Sequence, residues 1–145
     1  MAAGDITIFN EALVALFNGT HDLDTHDIKL AILDNTTTPT AATATPALGD
    51  FTEVGSGGTY VAGGTSLTIS LTQTSGVLTF DSTTNPSWAA DAGNDVDAYW
   101  GLLYNNTDAG KAAIGFIDLG GPIDMTATSI DITFASTGIW TSQQV

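Results

Sequence analysis

Hydrophobic positions in the chain follow two periods in turn. Phe9, Leu13, Leu16 and Phe17 recur at i, i+4, i+7 and i+8, the spacing of one apolar helix stripe. This predicts a short N-terminal helix over about residues 7–18. Asp5 or Thr7 is placed to cap its start, and Glu11 sits in an early turn where the helix dipole favours negative charge. Asn18-Gly19 is a stop signal, because glycine readily takes the left-handed conformation after a helix. A helix this short needs a packing partner to persist.

The period then changes to two. Ile28, Leu30 and Ile32 alternate with Lys29, Ala31 and Leu33, which predicts a strand with one strongly apolar face. Residues 34–46 contain Thr, Ala and Pro but almost no large apolar side chain. They read as an extended loop or arm, and loops this long are often binding segments. Short strands with turn punctuation fill the second half. Thr59–Ala62 precedes Gly63-Gly64, and Leu67, Ile69 and Leu71 alternate with Thr68 and Ser70. Val77–Phe80 follows Ser75-Gly76, a hairpin signal. The continuous apolar run Tyr99–Tyr104 predicts a strand buried on both faces. Asn105–Gly110 is a turn, and Ala112–Leu119 returns until Gly120-Gly121-Pro122 ends it. Ile130, Ile132 and Phe134 alternate, and Ile139-Trp140 closes the series. The fold class predicted is mainly β: one domain over 1–145, an antiparallel sandwich or small barrel of about seven to eight strands with one N-terminal helix. No internal repeat is evident.

Charge then narrows the function. The 145 residues include no arginine, no cysteine and two lysines against sixteen acids, a net charge of -14. Such a surface repels phosphate backbones and anionic headgroups, so neither nucleic acid nor membrane is an expected partner. There is no guanidinium to clamp a transferring phosphoryl group. Without cysteine there is no disulfide framework or thiolate metal site. Met1–Gly4 lacks a positive n-region and no apolar h-region follows, so no secretory signal is predicted, and no run reaches membrane-spanning length. Only 12% of residues are charged, so the polar surface is built largely from Thr, Ser, Asn and Gly.

Two clusters carry candidate chemistry. Residues 21–27 hold both histidines, His21 and His26, with Asp22, Asp24 and Asp27. Imidazole and carboxylate suit Zn²⁺ or Mn²⁺, but a five-residue separation is poor for one helix face and no HExxH is present. A solvated loop between helix and strand, with Asp24 or Asp27 bonding in a turn, is the preferred reading. Asp91, Asn94, Asp95 and Asp97 offer oxygens of the kind calcium takes. Their order is not that of an EF-hand loop and no closing Glu follows, so a charged turn is preferred, with opportunistic Ca²⁺ as the alternative. No cofactor is expected.

Catalytic signatures are missing. Gly55-Ser56-Gly57 is no nucleophile elbow, and both histidines fall in one loop, which disfavours a Ser-His-Asp triad. Gly110-Lys111-Ala112 is no P-loop, and no dinucleotide fingerprint occurs. A carboxylate pair for glycoside hydrolysis is an empty signal among sixteen acids. Trp88, Trp100 and Trp140 are read as core or interface aromatics before a sugar-stacking platform, and Trp100, inside the most apolar run, as buried.

Several phrases in order resemble a family of small structural proteins encoded among the virion genes of tailed phages. They are Phe17-Asn18-Gly19-Thr20-His21-Asp22-Leu23, then Ile28-Lys29-Leu30-Ala31-Ile32-Leu33 and the Thr/Pro-rich Asn35–Pro39. Tyr60-Val61-Ala62-Gly63-Gly64, Trp88, Leu102-Leu103-Tyr104-Asn105-Asn106-Thr107, Ile114–Gly120 and Phe134–Trp140 follow. Members of that family often carry an arginine in the strand that here holds Trp100. None of these phrases is catalytic. The resemblance implies a non-enzymatic virion protein, first a capsid decoration (cement) protein. Such a protein binds the outer shell of the major capsid protein, as a homotrimer by the symmetry of threefold lattice positions. Asn35, Thr36, Thr37, Thr38, Pro39 and Thr40, within the 34–46 arm, and residues 1–8 are the expected contacts. A tail, fibre or host-adhesion module recognising glycans is the alternative.

Overall fold

The apolar runs around Leu30, Leu102 and Phe116 become the middle of an antiparallel sheet in the computed structural model, which describes residues 5–143. In chain order the elements are β1 (Thr7–Ile8), α1 (Asn10–Phe17), β2 (Ile28–Leu33), β3 (Thr65–Ser66), β4 (Ile69–Thr74) and β5 (Val77–Ser82). β6 (Ser87–Trp88), β7 (Ala98–Asn105), β8 (Ala113–Ile123), β9 (Ile130–Asp131) and β10 (Trp140–Gln143) complete them. Strand order is β1-β8-β7-β2-β3 in the large sheet, β10-β5-β4 in a second and β6-β9 in a third. The mainly antiparallel-β class with one short N-terminal helix is thus as the pattern predicts. Among the described residues the strand count is higher than seven to eight, because four of the ten are two-residue pieces that periodicity does not register.

β7 lies between β2 and β8, and both of its faces are covered, which is why its run is apolar at successive positions rather than alternate ones. One face of the large sheet carries the row Ala31, Leu102, Phe116. Phe9 covers it, its ring 5.1 Å from that of Phe116 and 6.3 Å from that of Phe51. The other face carries Ile32, Gly101 and Ile117, and Ile132 sits close above Gly101. Burying each of the Leu, Ile and Phe side chains among them contributes about 1.5–3 kcal/mol.

The N-terminal helix is shorter than 7–18, and neither Asp5 nor Thr7 caps it. Thr7 and Ile8 pair with β8, and the Phe9 N–H donates to the Ile114 carbonyl, so the chain is still in the sheet where a cap was expected. Phe9 occupies the N-cap without a side-chain bond. The stop is as expected: Gly19 has φ +83°, and the His21 N–H reaches back to the Ala15 carbonyl. The predicted stripe is not uniformly buried. Phe9 and Ala12 face the core, whereas Leu13 is 46% and Phe17 93% exposed.

Three further boundaries move. Thr59–Ala62 is not a strand, since its Tyr60 hydroxyl rather than its backbone meets β2. β8 runs through Gly120-Gly121-Pro122 to Ile123, since Ala98 pairs with Ile123. Of residues 129–134 only Ile130–Asp131 forms a ladder, although Ile130 and Ile132 are buried as their alternation requires.

Candidate interaction surface

The segment 34–46 is not an extended arm. Asp34 accepts the Thr36 N–H at 2.8 Å through one oxygen and the Thr36 hydroxyl at 2.8 Å through the other. That makes a tight turn directly after β2. The Trp100 indole N–H donates to Asn35 Oδ1 at 3.1 Å, which ties the turn to β7. Pro39 is buried, the Ala41 carbonyl accepts the Asn10 N–H at the start of α1, and the Pro46 carbonyl accepts the Ala113 N–H of β8. Anchored in this way, Asn35, Thr36, Thr37, Thr38 and Thr40 all stay exposed. They form a hydroxyl-rich apex on a fixed base. Of the other expected contacts, residues 1–4 lie outside the described residues, while Thr7 and Ile8 are held by β8.

The second acidic cluster divides by role. Asn94 is buried, and its amide nitrogen lies 2.9 Å from Thr59 Oγ1, 3.1 Å from the Ala89 carbonyl and 3.3 Å from that of Met125. Its Oδ1 accepts the Tyr60 N–H at 3.1 Å. Asp95 accepts the Gly55 N–H at 2.8 Å and the Val96 N–H at 2.7 Å. The Gly55 bond, then the Val96 bond, hold its carboxyl below the usual Asp range. Asp91 accepts the Gly93 N–H at 2.8 Å. These side chains bind backbone that they also position, and among the described residues no group of three His, Asp or Glu side chains converges as metal ligands would. Asp97 points elsewhere. With Tyr99 it lines a shallow depression of about 290 Å³ whose other wall is Asp34, Asn35 and Thr36. Two segments that the sequence singles out separately therefore share one surface.

The histidine loop is less solvated than expected. Its turn is made by Asp22, which accepts the Asp24 N–H, the Thr25 N–H and the Thr25 hydroxyl. Asp27 instead receives the Asn106 amide at 2.8 Å. Fully buried Asn105 is the hub: its Nδ2 lies 2.9 Å from His26 Nδ1, 3.0 Å from the Thr20 carbonyl and 3.3 Å from His21 Nδ1. Its Oδ1 accepts the Thr107 and Asp108 N–H groups. His21 is buried, its Nε2 has no hydrogen-bond partner among the described residues, and burial lowers its pKa below the ordinary 6.5.

A second hub has only a partial signal in the sequence. The Tyr60 hydroxyl accepts the Ile32 N–H at 3.1 Å and donates to Glu53 Oε2 at 2.6 Å, and the same carboxylate oxygen accepts the Gly63 N–H at 2.6 Å. The Tyr104 hydroxyl donates to the Gly63 carbonyl at 2.8 Å. Tyr60 thus completes the edge of β2 where β3 stops, and burial followed by the Glu53 bond pushes its pKa up so that it stays a neutral donor. The three tryptophans lie in three different sheets: Trp88 in β6, Trp100 in β7 and Trp140 in β10. They form no common stacking platform. Trp88 is buried against Tyr60, while Trp100 is half-buried rather than enclosed, its ring edge-on to Phe116 at 6.1 Å.

Among the described residues no helix is long and apolar enough to cross a membrane. No protein-family model, curated protein or solved structure matches the chain.

Proposed function

We propose that the chain is a structural protein of a phage virion, a capsid decoration (cement) protein that binds the outer face of the major capsid protein shell. The observation that carries the reading is the apex Asn35–Thr40, exposed but anchored to β7, β8 and α1. A prepositioned loop loses little conformational entropy on docking. Around it the surface is acidic, with a net charge of -14, which keeps crowded copies apart and suits the side of a shell away from DNA. Repetition of modest contacts over a lattice supplies avidity, and a homotrimer at threefold positions fits that geometry. The polar residues of both hubs bond mainly to backbone and to one another, which favours a binding role over catalysis.

The test is binding of purified protein to expanded, empty capsids without tails, read by co-sedimentation and particle reconstruction. Saturable density on the outer surface is expected. Thr37→Arg, at an exposed position, should reduce occupancy and leave the melting temperature unchanged. Absence of capsid binding, or unchanged occupancy by the variant, would refute the assignment or the contact respectively. A tail or adhesion module is the second reading, favoured by the depression where Tyr99 meets Asp34 and Asp97. Glycan-array binding lost on Tyr99→Ala, with no capsid binding, would favour it.

A further inference from the structure

The β4–β5 hairpin closes on a two-residue turn, Ser75-Gly76, with both φ angles positive and Thr74 opposite Val77. In such a hairpin the closing pair exchanges both hydrogen bonds, and the pattern alternates from there. Thr74, Thr72 and Ser70 therefore bond to β5, whereas Gln73, Leu71 and Ile69 turn their N–H and C=O groups away from it. β5 is the only neighbour of β4 among the described residues, and no other backbone group bonds to those three positions. The edge sequence Ile-Ser-Leu-Thr-Gln-Thr contains no charge and no proline, the usual guards of a free strand.

Over one face of this sheet, spanning β4, β5 and β10 and reaching α1, lies an apolar cavity of about 550 Å³. Leu13 and Phe17 of α1 form one wall, and Leu71, Leu78 and Trp140 form the other. Open backbone and apolar groove together match strand addition, in which backbone pairing supplies affinity and alternate side chains enter a pocket. Charge selects the occupant. The partner's alternate side chains point to the opposite sheet face, where Asp81 stands across from Ser70, and neither lysine of the chain lies on β4, β5 or β10. Lys29 is within β2, and Lys111 donates to Asn106. A second copy would bring another -14 charges, and its own β4 edge carries no cation to meet Asp81. We propose that the β4 edge and its groove form a strand-addition site for an extended segment of a partner protein that alternates apolar residues with Lys or Arg. This surface is separate from the Asn35–Thr40 apex and does not depend on the capsid reading.

The test titrates the full chain with a short capped peptide alternating valine and lysine. Its twin is N-methylated on every second backbone nitrogen, so that charge and side chains are kept while one edge loses its donors. Saturable binding of the first is expected, with the amide signals of Ile69, Leu71 and Gln73 shifting in NMR spectra. The twin should bind at least about tenfold more weakly, the equivalent of one or two lost hydrogen bonds. Gln73→Pro, which removes a solvent-facing N–H and is tolerated on an edge strand, should weaken the first peptide by a similar factor. Five results would overturn the proposal: no binding, equal binding of the two peptides, shifts confined to another surface, a sedimentation dimer that Gln73→Pro abolishes, or palmitate filling the groove without peptide binding. The peptide comparison stands even if Gln73→Pro does not fold.

Discussion

Tyr60→Phe isolates one oxygen atom. The ring stays in place against Trp88, so packing is conserved and no cavity opens. Two bonds are lost. The hydroxyl donates to the Glu53 carboxylate at 2.6 Å, and a hydrogen bond to a charged group is worth about 1.5–3 kcal/mol. It also accepts the Ile32 N–H at 3.1 Å, and a buried donor left alone costs about 1–3 kcal/mol. Glu53 keeps the Gly63 N–H, so it is not orphaned. These penalties overlap, and the expected loss is about 2–4 kcal/mol. For a chain of this length that lowers the melting temperature by roughly 5–15 °C, at about 2–4 °C per kcal/mol.

Urea titration is the assay. The midpoint should fall by roughly 1–2 M for an m-value near 2 kcal/mol/M, with the m-value unchanged. The double variant with Glu53→Gln separates the pair from the rest, and a coupling above about 1 kcal/mol is expected. A loss below about 0.5 kcal/mol, or no coupling, would mean that the phenol does not close the β2 edge.

Two glycines should behave differently. Gly64→Ala should cost more than about 3 kcal/mol or prevent folding, because φ is +66° and a Cβ would overlap the Leu30 carbonyl, whereas Gly76→Ala, at φ +84° in open space, should cost about 1 kcal/mol in thermal melts. Trp100→Ala should cost about 2–3 kcal/mol in urea titration rather than the 3–5 kcal/mol typical of an enclosed aromatic, since the side chain is half-buried and held by Phe116 and Asn35. Burial lowers the His21 pKa from its ordinary 6.5, so just below that pH the unfolded chain takes up a proton that the folded chain refuses. Stability should therefore fall as pH drops below about 6.5, and His21→Gln should flatten that slope in urea midpoints measured there.

Burial pattern was legible where one residue answers one neighbour. The run Tyr99–Tyr104 specifies a central strand because both faces meet protein, and Ser75-Gly76 specifies a tight hairpin because both positions take positive φ. The contents of 34–46 were not legible. A stretch of Thr, Ala and Pro has no periodic signal, and what holds it is a set of single long-range bonds from Asn10, Trp100 and Ala113. The same applies to Asn94 and Asp95. Their residue types suit calcium, yet their bonds go to Tyr60 and Gly55 on a segment some forty positions earlier. Local composition cannot distinguish an oxygen that awaits an ion from one that holds a distant N–H. The Tyr60–Glu53 hub had only half a signal: Tyr60 stands out before Gly63-Gly64, but Glu53 is one acid among sixteen.

The helix shows how a correct periodicity can still mislead about energetics. Phe9, Leu13, Leu16 and Phe17 do share a stripe, and a stripe is ordinarily assumed to face one core. Here the helix starts late, because β1 draws Thr7 and Ile8 into the sheet, and its far end overhangs. Phe9 is fully buried against Phe116, while Phe17, two turns on, is 93% exposed and forms a groove wall. The second wall has the same origin. In β4 and β5 Phe80 is buried and Ile69 half-buried, whereas Leu71, directly opposite Phe80, and Leu78, nearer the hairpin tip, are exposed. Two amphipathic elements therefore begin on the core and diverge from it. The apolar residues that the pattern assigns to folding are divided between the core and a groove whose sides the chain itself does not bring together.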